Sequence, residues 1–303
     1  MVSQVVYTAL FGETEALVEQ EVAKRSSIRF VCFTDNPNLV SSTWEIVLVS
    51  PLFAADPRRS QRAIKIRGHE SLSTYEQWLY IDNTVRLKKT PEEILGVWLK
   101  DADWAALSHD ANSTLWAEFE ANVALSKETT ERLNEQLHDY STHHHDVLDQ
   151  RPLWNGFFAR KNSPAVTKFA DLWFSHVLRY SARDQLSILV ALDREEVSLN
   201  RVAGRVRNSQ WHDWPHRNGE TVTSKATRHA RRTGLKSVAE ELHDRELEVQ
   251  RLSAELNGAR GEIRRLTNLH WFGLVGLARI AKSIYRSWRK RRKQKQKQKQ
   301  KRR

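Results

Sequence analysis

The sequence of 303 residues contains a single cysteine, Cys32, and a single methionine. One thiol cannot form a disulfide within the chain and cannot build a multi-cysteine zinc site. Any bound metal would therefore depend on Asp, Glu, His or water. This cysteine usage favours a reducing compartment, and we expect a cytoplasmic protein.

Long apolar segments are also absent. No stretch before about Arg260 approaches the roughly 18–20 apolar residues that a membrane-spanning helix requires. The N-terminal segment, Met1 to Gly12, is apolar but short, and it has neither a preceding positive charge nor a small-residue cleavage site. It predicts a first β-strand rather than a signal peptide, and we expect the N-terminal part to be soluble.

Acidic residues are the minority, because 37 Asp and Glu face 49 Lys and Arg and leave a formal net charge of +12. The basic excess lies after Arg217, so the net charge describes a C-terminal tail more than a folded domain. With 40% apolar residues, the rest of the chain can form a packed core. Its length allows one α/β domain of about 200–250 residues or two small domains.

Apolar, β-branched runs alternate with helical patterns over the first 200 or so residues. Strands are predicted at Val5–Leu10, Phe30–Phe33, Trp44–Val49, Trp78–Ile81, Trp104–Leu107 and Trp154–Ala159. Helices are predicted at Glu13–Arg25, Pro57–Leu72, Pro91–Leu99, Thr114–Leu125, Lys127–Tyr140, Pro164–Arg179 and Ala182–Leu192. This alternation is typical of an α/β fold in which a mainly parallel sheet is covered by helices.

A different pattern begins after Gly219. Apolar residues then recur every seven positions, at Leu235, Leu242, Val249, Leu256 and Ile263. About five such heptads predict a coiled coil and hence a homo-oligomer, with a lone amphipathic helix packed on the N-terminal domain as the alternative. The predicted organisation is a domain at 1–217, a linker at 218–234, a coiled coil at 235–270, an interfacial helix at 271–288 and a polybasic tail at 289–303.

The segment 271–288 carries Trp at both ends, has too few apolar residues to span a membrane, and runs into a Lys/Arg/Gln stretch without acids. This combination predicts a helix lying on an anionic membrane surface, where each basic side chain adds about 1 kcal/mol. The chain would then be peripheral on the inner face of a membrane. Nucleic-acid binding fits the charge equally well but leaves Trp271, Phe272 and Trp288 unexplained. A merely solvated tail is the third possibility.

Three predicted strands end in polar residues: Asp35 follows the second, Asp82 the fourth and His109 the fifth. In open α/β sheets, ligands lie beyond the carboxyl ends of the strands. A carboxylate such as Asp82 can hold a divalent cation there against two phosphates, although an ordinary turn carboxylate has the same sequence pattern. A literal Asp-x-Asp, Asp101-Ala102-Asp103, precedes its strand and is predicted to lie at the opposite edge.

A set of short segments, spread over about residues 4–200, carries a further signal. They are Val6–Gly12, Phe33–Asp35, Trp44, Asp56–Arg59, Lys65, His69, Tyr80–Asn83, His109, Glu118 and Arg183–Ser187. In this order they resemble a glycosyltransferase family that was first catalogued as a domain of unknown function and is known from plant Golgi proteins and bacterial chains. The most specific pieces are Phe33-Thr34-Asp35, the strand-end Asp82 and Arg183-Asp184-Gln185-Leu186-Ser187.

The resemblance implies a GT-A-like fold and transfer of a hexose from a nucleotide diphosphate sugar to a glycan or other hydroxyl acceptor, with Mn²⁺ or Mg²⁺. The donor-binding residues it implies are Thr8, Phe11, Asp35, Arg62, Lys65 and Gln185, with Asp35 at the nucleoside and Lys65 and Arg62 at the diphosphate. The metal ligands it implies are Asp82, Asn83 and His212. The catalytic residues it implies are Asp184, Arg183, Glu118 and His109.

This sequence departs from the usual Asp-x-Asp by offering Asp82-Asn83-Thr84, which leaves the second metal ligand open. Without the resemblance, Lys65 and Arg62 fit a solvated basic helix face, Asp184 fits a first-turn helix carboxylate, and Glu118 fits a surface position. Two other functions are compatible with the sequence. One is a nucleotidyltransferase, and the other is a non-catalytic coiled-coil scaffold at a membrane or on nucleic acid.

Overall fold

The computed structural model describes residues 2–12, 16–214, 238–268 and 280–292. The chain divides into two compact units, Met1–Ala239 and Glu240–Arg303. The predicted linker at 218–234 lies outside the described residues, as do 271–279 of the predicted interfacial helix and 293–303 of the predicted tail.

The N-terminal unit contains strands and helices in alternation. The strands are β1 (Gln4–Leu10), β2 (Arg29–Thr34), β3 (Glu45–Leu48), β4 (Gln77–Ile81), β5 (Arg86–Leu87), β6 (Trp104–Ser108), β7 (Leu153–Lys161), β8 (Leu199–Val202) and β9 (His212–Asp213). The helices are α1 (Pro57–Arg67), α2 (Pro91–Trp98), α3 (Leu115–Ala124), α4 (Thr130–His143), α5 (His145–Leu148), α6 (Pro164–Arg179) and α7 (Ile188–Arg194). Short 3₁₀ helices lie at Glu21–Arg25, Glu70–Leu72 and Asp184–Leu186.

One seven-stranded sheet, in the order β3-β2-β1-β4-β7-β6-β8, organises this unit. β7 runs antiparallel to both of its neighbours, and the other pairs in this sheet are parallel. The predicted α/β fold with a mainly parallel sheet flanked by helices is therefore confirmed. Because β7 is reversed, its N-terminal end lies at the same edge as the carboxyl ends of β1, β2, β4 and β6.

Both faces of the sheet are covered, and each carries a hydrophobic core. The central strands are buried along most of their length, which is typical of parallel sheets packed between helices. Aromatic rings fill much of one face. Trp104 of β6 stacks on Phe158 of β7 with ring centroids 4.4 Å apart, and Tyr80 of β4 stacks on the same ring at 4.9 Å.

Helix α1 begins and ends at residues suited to those positions. The Asp56 side chain accepts the Arg59 N–H at 2.9 Å, and Pro57 occupies the first helical position. The helix stops at Gly68, whose φ of +78° lies in the left-handed region. The predicted helix Pro57–Leu72 is therefore interrupted here and continues only as the 3₁₀ helix Glu70–Leu72.

The predicted helix Glu13–Arg25 is wrong over the described residues 16–20, which form no helix, and only Glu21–Arg25 is helical. The backbone N–H and C=O groups that a helix would pair with each other here form hydrogen bonds to distant parts of the chain. The Val18 N–H donates to the Asn83 carbonyl at 2.8 Å, and the Val18 carbonyl accepts from Trp44 Nε1 at 2.9 Å. Residues 13–15 lie outside the described part of the chain.

The C-terminal unit is helical where it is described, at Val238–Asn268 and over residues 280–292. The heptad segment thus forms a helix, while its assembly into a coiled coil stays a prediction. In the described parts of the chain, no helix combines the length and apolar content that crossing a bilayer demands.

Gly68 and Gly96 make a matched pair of positions for testing this fold. A Cβ at Gly68 would lie 2.3 Å from Trp78 Cζ3, whereas a Cβ at Gly96, in helix α2, meets no heavy atom within 4 Å. We expect Gly68→Ala to lower the free energy of unfolding by more than about 1 kcal/mol, because Ala is strained at positive φ. Gly96→Ala should raise it by about 0.5–1 kcal/mol. Urea denaturation checks both, and equal midpoints would contradict the packing described here.

Candidate functional site

Polar residues from several strands come together at one edge of the sheet. The carboxyl ends of β1, β2, β4 and β6 bring Gly12, Asp35, Asp82 and His109 to this edge. β7 joins them, because the Gly156 carbonyl accepts the Asp82 N–H at 2.8 Å. Ligands of open α/β sheets bind at such an edge, so a functional site is expected here.

The side chain of Lys65 is 2% exposed and lies between two carboxylates. Its Nζ is 2.9 Å from Asp184 Oδ2 and 3.4 Å from Asp82 Oδ1. Arg62 Nε lies 2.9 Å from the other Asp184 oxygen, Oδ1. Burial acts to raise the pKa of Asp184, but Arg62 and Lys65 outweigh it and hold this pKa well below its usual value. We call Arg62, Lys65, Tyr80, Asp82 and Asp184 the charged cluster.

Tyr80 completes the charged cluster from strand β4. Its hydroxyl donates to Asp82 Oδ1 at 2.7 Å and accepts from Gln61 Nε2 at 2.7 Å. Lys65 Nζ lies 5.1 Å from the centroid of the Tyr80 ring, within the range of a cation–π contact. Burial raises the pKa of Tyr80 well above its usual value, and the Asp82 carboxylate raises it further. The hydroxyl therefore keeps its proton and orients Asp82.

Buried contacts fix the helix that carries Lys65. The Tyr7 hydroxyl of β1 donates to the Lys65 carbonyl at 2.7 Å. The guanidinium of Arg160, from β7, donates to the Ile66 carbonyl at 2.7 Å and lies 4.5 Å from the Trp78 ring centroid. These bonds hold the last turns of α1 on the sheet, so the Lys65 side chain is positioned before any ligand binds.

Other basic groups surround the charged cluster. Burial lowers the pKa of Arg183, and the nearby cations Arg62 and Arg58 lower it further. Burial and the adjacent Arg183 also lower the pKa of Lys127. The buried Nε of Arg183 has no hydrogen-bond partner among the described residues. The carboxylates of Asp184 and Glu118 oppose these shifts, and an anionic ligand would offset the remaining repulsion between the cations.

Glu118 and His109 form a second polar group beside the cations. Glu118 is buried, and its carboxylate accepts from the side-chain amides of Asn112 and, at 2.8 Å, Asn122. Burial lowers the pKa of His109, while Glu118 and Asp110 oppose this effect. His109 Nδ1 accepts the Asn112 N–H at 3.1 Å, so the neutral ring carries its proton on Nε2.

The structure corrects several interpretations that the sequence alone allowed. Lys65 and Arg62 do not belong to a solvated helix face, because they are paired with buried Asp184. Asp184 is not a first-turn α-helix carboxylate but begins the 3₁₀ helix Asp184–Leu186. Glu118 is buried rather than on the surface. Asp103 lies at the opposite edge as predicted, paired with Lys161 at 3.2 Å.

Of the three predicted metal ligands, only Asp82 lies in the charged cluster. The side-chain amide nitrogen of Asn83 donates to the Ala16 carbonyl at 3.0 Å. Both ring nitrogens of His212 are engaged, because Nε2 lies 2.7 Å from the Val206 carbonyl oxygen and Nδ1 2.8 Å from Ser209 Oγ. Both ring nitrogens of His212 thus have partners within the fold, and its role as a metal ligand stays a prediction.

The described residues contain no group of three or more His, Cys, Asp or Glu that could hold a metal ion. A cation site built from protein side chains alone does not fit this part of the chain. Mg²⁺ is commonly held by one or two carboxylates together with substrate phosphates and water. The partly exposed Asp82 fits that second kind of site, in which the donor supplies most of the ligands.

The remaining predicted donor residues lie around the same edge. Asp35 Oδ1 accepts the Gly12 N–H at 3.0 Å, and Asp35 lines a cavity of about 320 Å³ with Leu48, Val49 and nearby residues. Thr8 is fully buried in β1, and its hydroxyl has no partner among the described residues. The other two, Phe11 and Gln185, are also buried.

Sequence reasoning missed Asn155, a buried residue of β7. Neither polar atom of its side chain has a hydrogen-bond partner among the described residues. The Nε2 atom of buried Gln185 also lacks a partner there. The pairing register of β6 and β7 shifts at this point, which indicates a β-bulge, a feature common beside active sites. The available signal was one Asn in the otherwise apolar run Trp154–Ala159.

The fold is α/β, and paired basic and acidic side chains gather at the carboxyl edge of its sheet. The family model described as "TOD1/MUCI70, glycosyltransferase-like domain" matches residues 31–207, more than half of the chain. The chain belongs to this TOD1/MUCI70 family of glycosyltransferase-like domains. The match confirms the family predicted from the sequence, a GT-A-like glycosyltransferase family.

A relative from Arabidopsis thaliana, described as "Probable hexosyltransferase MUCI70", is 28% identical over 167 residues. The alignment covers 52% of this chain and 29% of the plant protein. The chain thus spans less than a third of the length of this relative.

Two solved structures share a weaker likeness. Core-mannan synthase A from Aspergillus fumigatus, in its Mn/GDP form, is 9% identical, with 69% of this chain and 74% of that chain covered and a TM-score of 0.38. The mannosyltransferase Ktr4p from S. cerevisiae is 11% identical, with 74% and 73% covered and a TM-score of 0.39. Superpositions of this quality do not align individual side chains, so they assign no role to a residue of this chain.

Asn155 and Asn122 provide a matched test of which buried amides face a ligand. The Asn122 amide has partners within the fold, because it donates to the Glu118 carboxylate and, at 2.7 Å, to the Glu118 carbonyl. We expect Asn122→Leu to lower the free energy of unfolding by about 1–3 kcal/mol, since Glu118 loses one of its two amide donors. Asn155→Leu should leave stability unchanged or slightly raised, yet lower any sugar-transfer activity of the chain about tenfold or more.

Chemical denaturation and product release measure the two effects separately. A clear loss of stability in Asn155→Leu would mean that this amide has structural partners, and it would contradict a role in facing the ligand.

Proposed function

We propose that this chain is a glycosyltransferase that moves a hexose from a nucleotide diphosphate sugar to an acceptor hydroxyl. The observation that carries the proposal is the charged cluster, with Arg183 and Lys127 beside it, at the sheet edge of a chain in a glycosyltransferase-like family. A diphosphate is an anion whose charge these basic side chains complement.

The reaction places new charge where the basic groups lie. A bond forms between the sugar C1 and the acceptor oxygen, and the bond from C1 to the diphosphate oxygen breaks. The electron pair stays on the leaving diphosphate, and the acceptor proton goes to a base. Fixed cations stabilise such developing charge best when they are oriented in advance and shielded from water, as Lys65 is.

The proton acceptor is assigned by elimination among the predicted candidates. Asp184 is committed to Arg62 and Lys65, and its lowered pKa makes it a weak base. His109 uses Nδ1 to accept the Asn112 N–H and carries its proton on Nε2. Glu118, a carboxylate oriented by the Asn112 and Asn122 amides, is the group we propose as base. Asp184 then serves to hold the two cations in place.

A divalent ion, Mn²⁺ or Mg²⁺, is the second part of the proposal. Asp82 would hold it together with phosphate oxygens of the donor and water. When bound, such an ion would offset part of the charge of the diphosphate. The Tyr80 hydroxyl, 2.7 Å from Asp82 Oδ1, orients this carboxylate for the task.

A panel of nucleotide sugars tests the proposed reaction. Lys65→Met removes the buried ammonium, whereas Arg67→Met, on the same helix, removes a half-exposed cation whose partner is Asp171. We expect at least one donor to raise the melting temperature of the wild type and to release nucleoside diphosphate with an acceptor. Lys65→Met should lower this release about 100-fold or more, a size typical for loss of a preorganised charge. Arg67→Met should change it less than twofold.

The products distinguish the rival functions. Release of pyrophosphate in place of nucleoside diphosphate would favour a nucleotidyltransferase. Donor binding without turnover would favour a non-catalytic scaffold, and no response to any donor would contradict the proposal as a whole.

The metal is tested separately with Asp82→Asn and, as its control, Asp103→Asn at the opposite edge. We expect the wild type and Asp103→Asn to bind nucleoside diphosphate about tenfold or more tightly in Mn²⁺ than in chelator. Asp82→Asn should bind equally in both, because the carboxylate that would hold the ion is gone. Calorimetric titration measures these affinities. Equal affinity of the wild type for nucleoside diphosphate in Mn²⁺ and in chelator would contradict the metal site, but it would not contradict the proposed sugar transfer.

A further inference from the structure

The helical residues 280–292 present a row of large apolar side chains to solvent. Ile280 is 47% exposed, Ile284 47%, Tyr285 59% and Trp288 54%. In an α-helix with 3.6 residues per turn, these positions fall within an arc of about 140°. Arg291 and Arg292, in the last turn, fall within the same arc. The four large apolar side chains form one face of the helix, which we call the apolar face.

The opposite side of the same helix is basic. Residues 280–292 contain six Lys or Arg and no Asp or Glu. Four of them, Lys282, Arg286, Arg289 and Lys290, fall within an arc of about 100° opposite the apolar face. The helix is therefore amphipathic, with apolar and positively charged sides.

Aromatic contacts tie Arg292 to the apolar face. The rings of Tyr285 and Trp288 stack with centroids 6.1 Å apart and an interplanar angle of 29°. The Arg292 guanidinium lies 5.3 Å from the centroid of the Trp288 ring. Tyr and Trp combine an apolar ring with a polar atom, and long basic side chains reach toward water while their stems cover apolar surface.

We propose that this helix binds the surface of an anionic lipid bilayer, with the apolar face at the boundary between headgroups and acyl chains and with the basic side chains, on the water side, extending to the lipid phosphates. The described residues 280–292 carry six Lys or Arg, which is too many charges for the bilayer core, so the helix lies along the surface. Charge complementarity selects anionic lipids, and the apolar face requires an apolar layer. A nucleic acid would satisfy the charge but would leave Ile280 and Ile284 in water.

Vesicle flotation with the full chain tests the proposal. Wild type should float with vesicles of phosphatidylcholine and phosphatidylglycerol and stay behind with phosphatidylcholine alone. The double variant Ile284→Ser, Trp288→Ser keeps every charge and should partition at least about tenfold more weakly, because the apolar face is lost. A control with Val40→Ser and Leu52→Ser, two exposed apolar residues of the N-terminal unit, should float as the wild type does.

A charge variant separates the two sides of the helix. Arg286→Gln with Lys290→Gln keeps the apolar face and should weaken flotation with the anionic vesicles, as should added salt. Undiminished flotation of the Ile284/Trp288 variant would overturn the proposal. So would wild-type binding to a fluorescent oligonucleotide that is tighter than binding to vesicles and unchanged in that variant, since this would identify a nucleic-acid tail.

Discussion

The ion pair between buried Lys65 and Asp184 is the interaction on which the site depends. An ammonium group with 2% of its side chain exposed is costly to bury unless a carboxylate compensates it. Asp184 does so while it also pairs with Arg62. One carboxylate thereby joins helix α1 to the 3₁₀ helix Asp184–Leu186, and it keeps two cations charged and ordered at the edge of the sheet. The arrangement that stabilises the fold locally is the same one that would receive a diphosphate.

Strand direction explains why these groups meet. Parallel strands bring the ends of β4 and β6 to one edge, and the reversed β7 adds the bulge that contains Asn155. Tyr7 and Arg160, buried in β1 and β7, bind carbonyls of the last turns of α1 and fix its distance from the sheet. The side chains that carry the chemistry therefore rest on a rigid core. Such support is what preorganised electrostatic stabilisation requires.

The fold could largely be predicted from the sequence, because apolar periodicity reports burial directly, and the strands near Val5, Phe30, Trp78 and Trp104 lie where it placed them. The partners of polar residues could not be predicted in this way. Lys65 and Asp184 are far apart in the chain, and only the packing of α1 shows that Lys65 is buried. The partners of His212 could not be predicted for the same reason, since its hydrogen bonds to Val206 and Ser209 arise from a local loop conformation that has no periodic signal.

The unpartnered polar groups at the sheet edge lower the stability of the chain without a ligand. Asn155 and Arg183 bury polar atoms without partners in the described structure, and each such atom costs the folded state free energy. The proposed donor or water would complete these hydrogen bonds. Because a donor would bind the folded chain alone, its binding free energy would be added to the stability of the fold. The proposed function thus gives the unpartnered polar atoms and the closely spaced cations a common explanation, an anionic donor at the edge of the sheet.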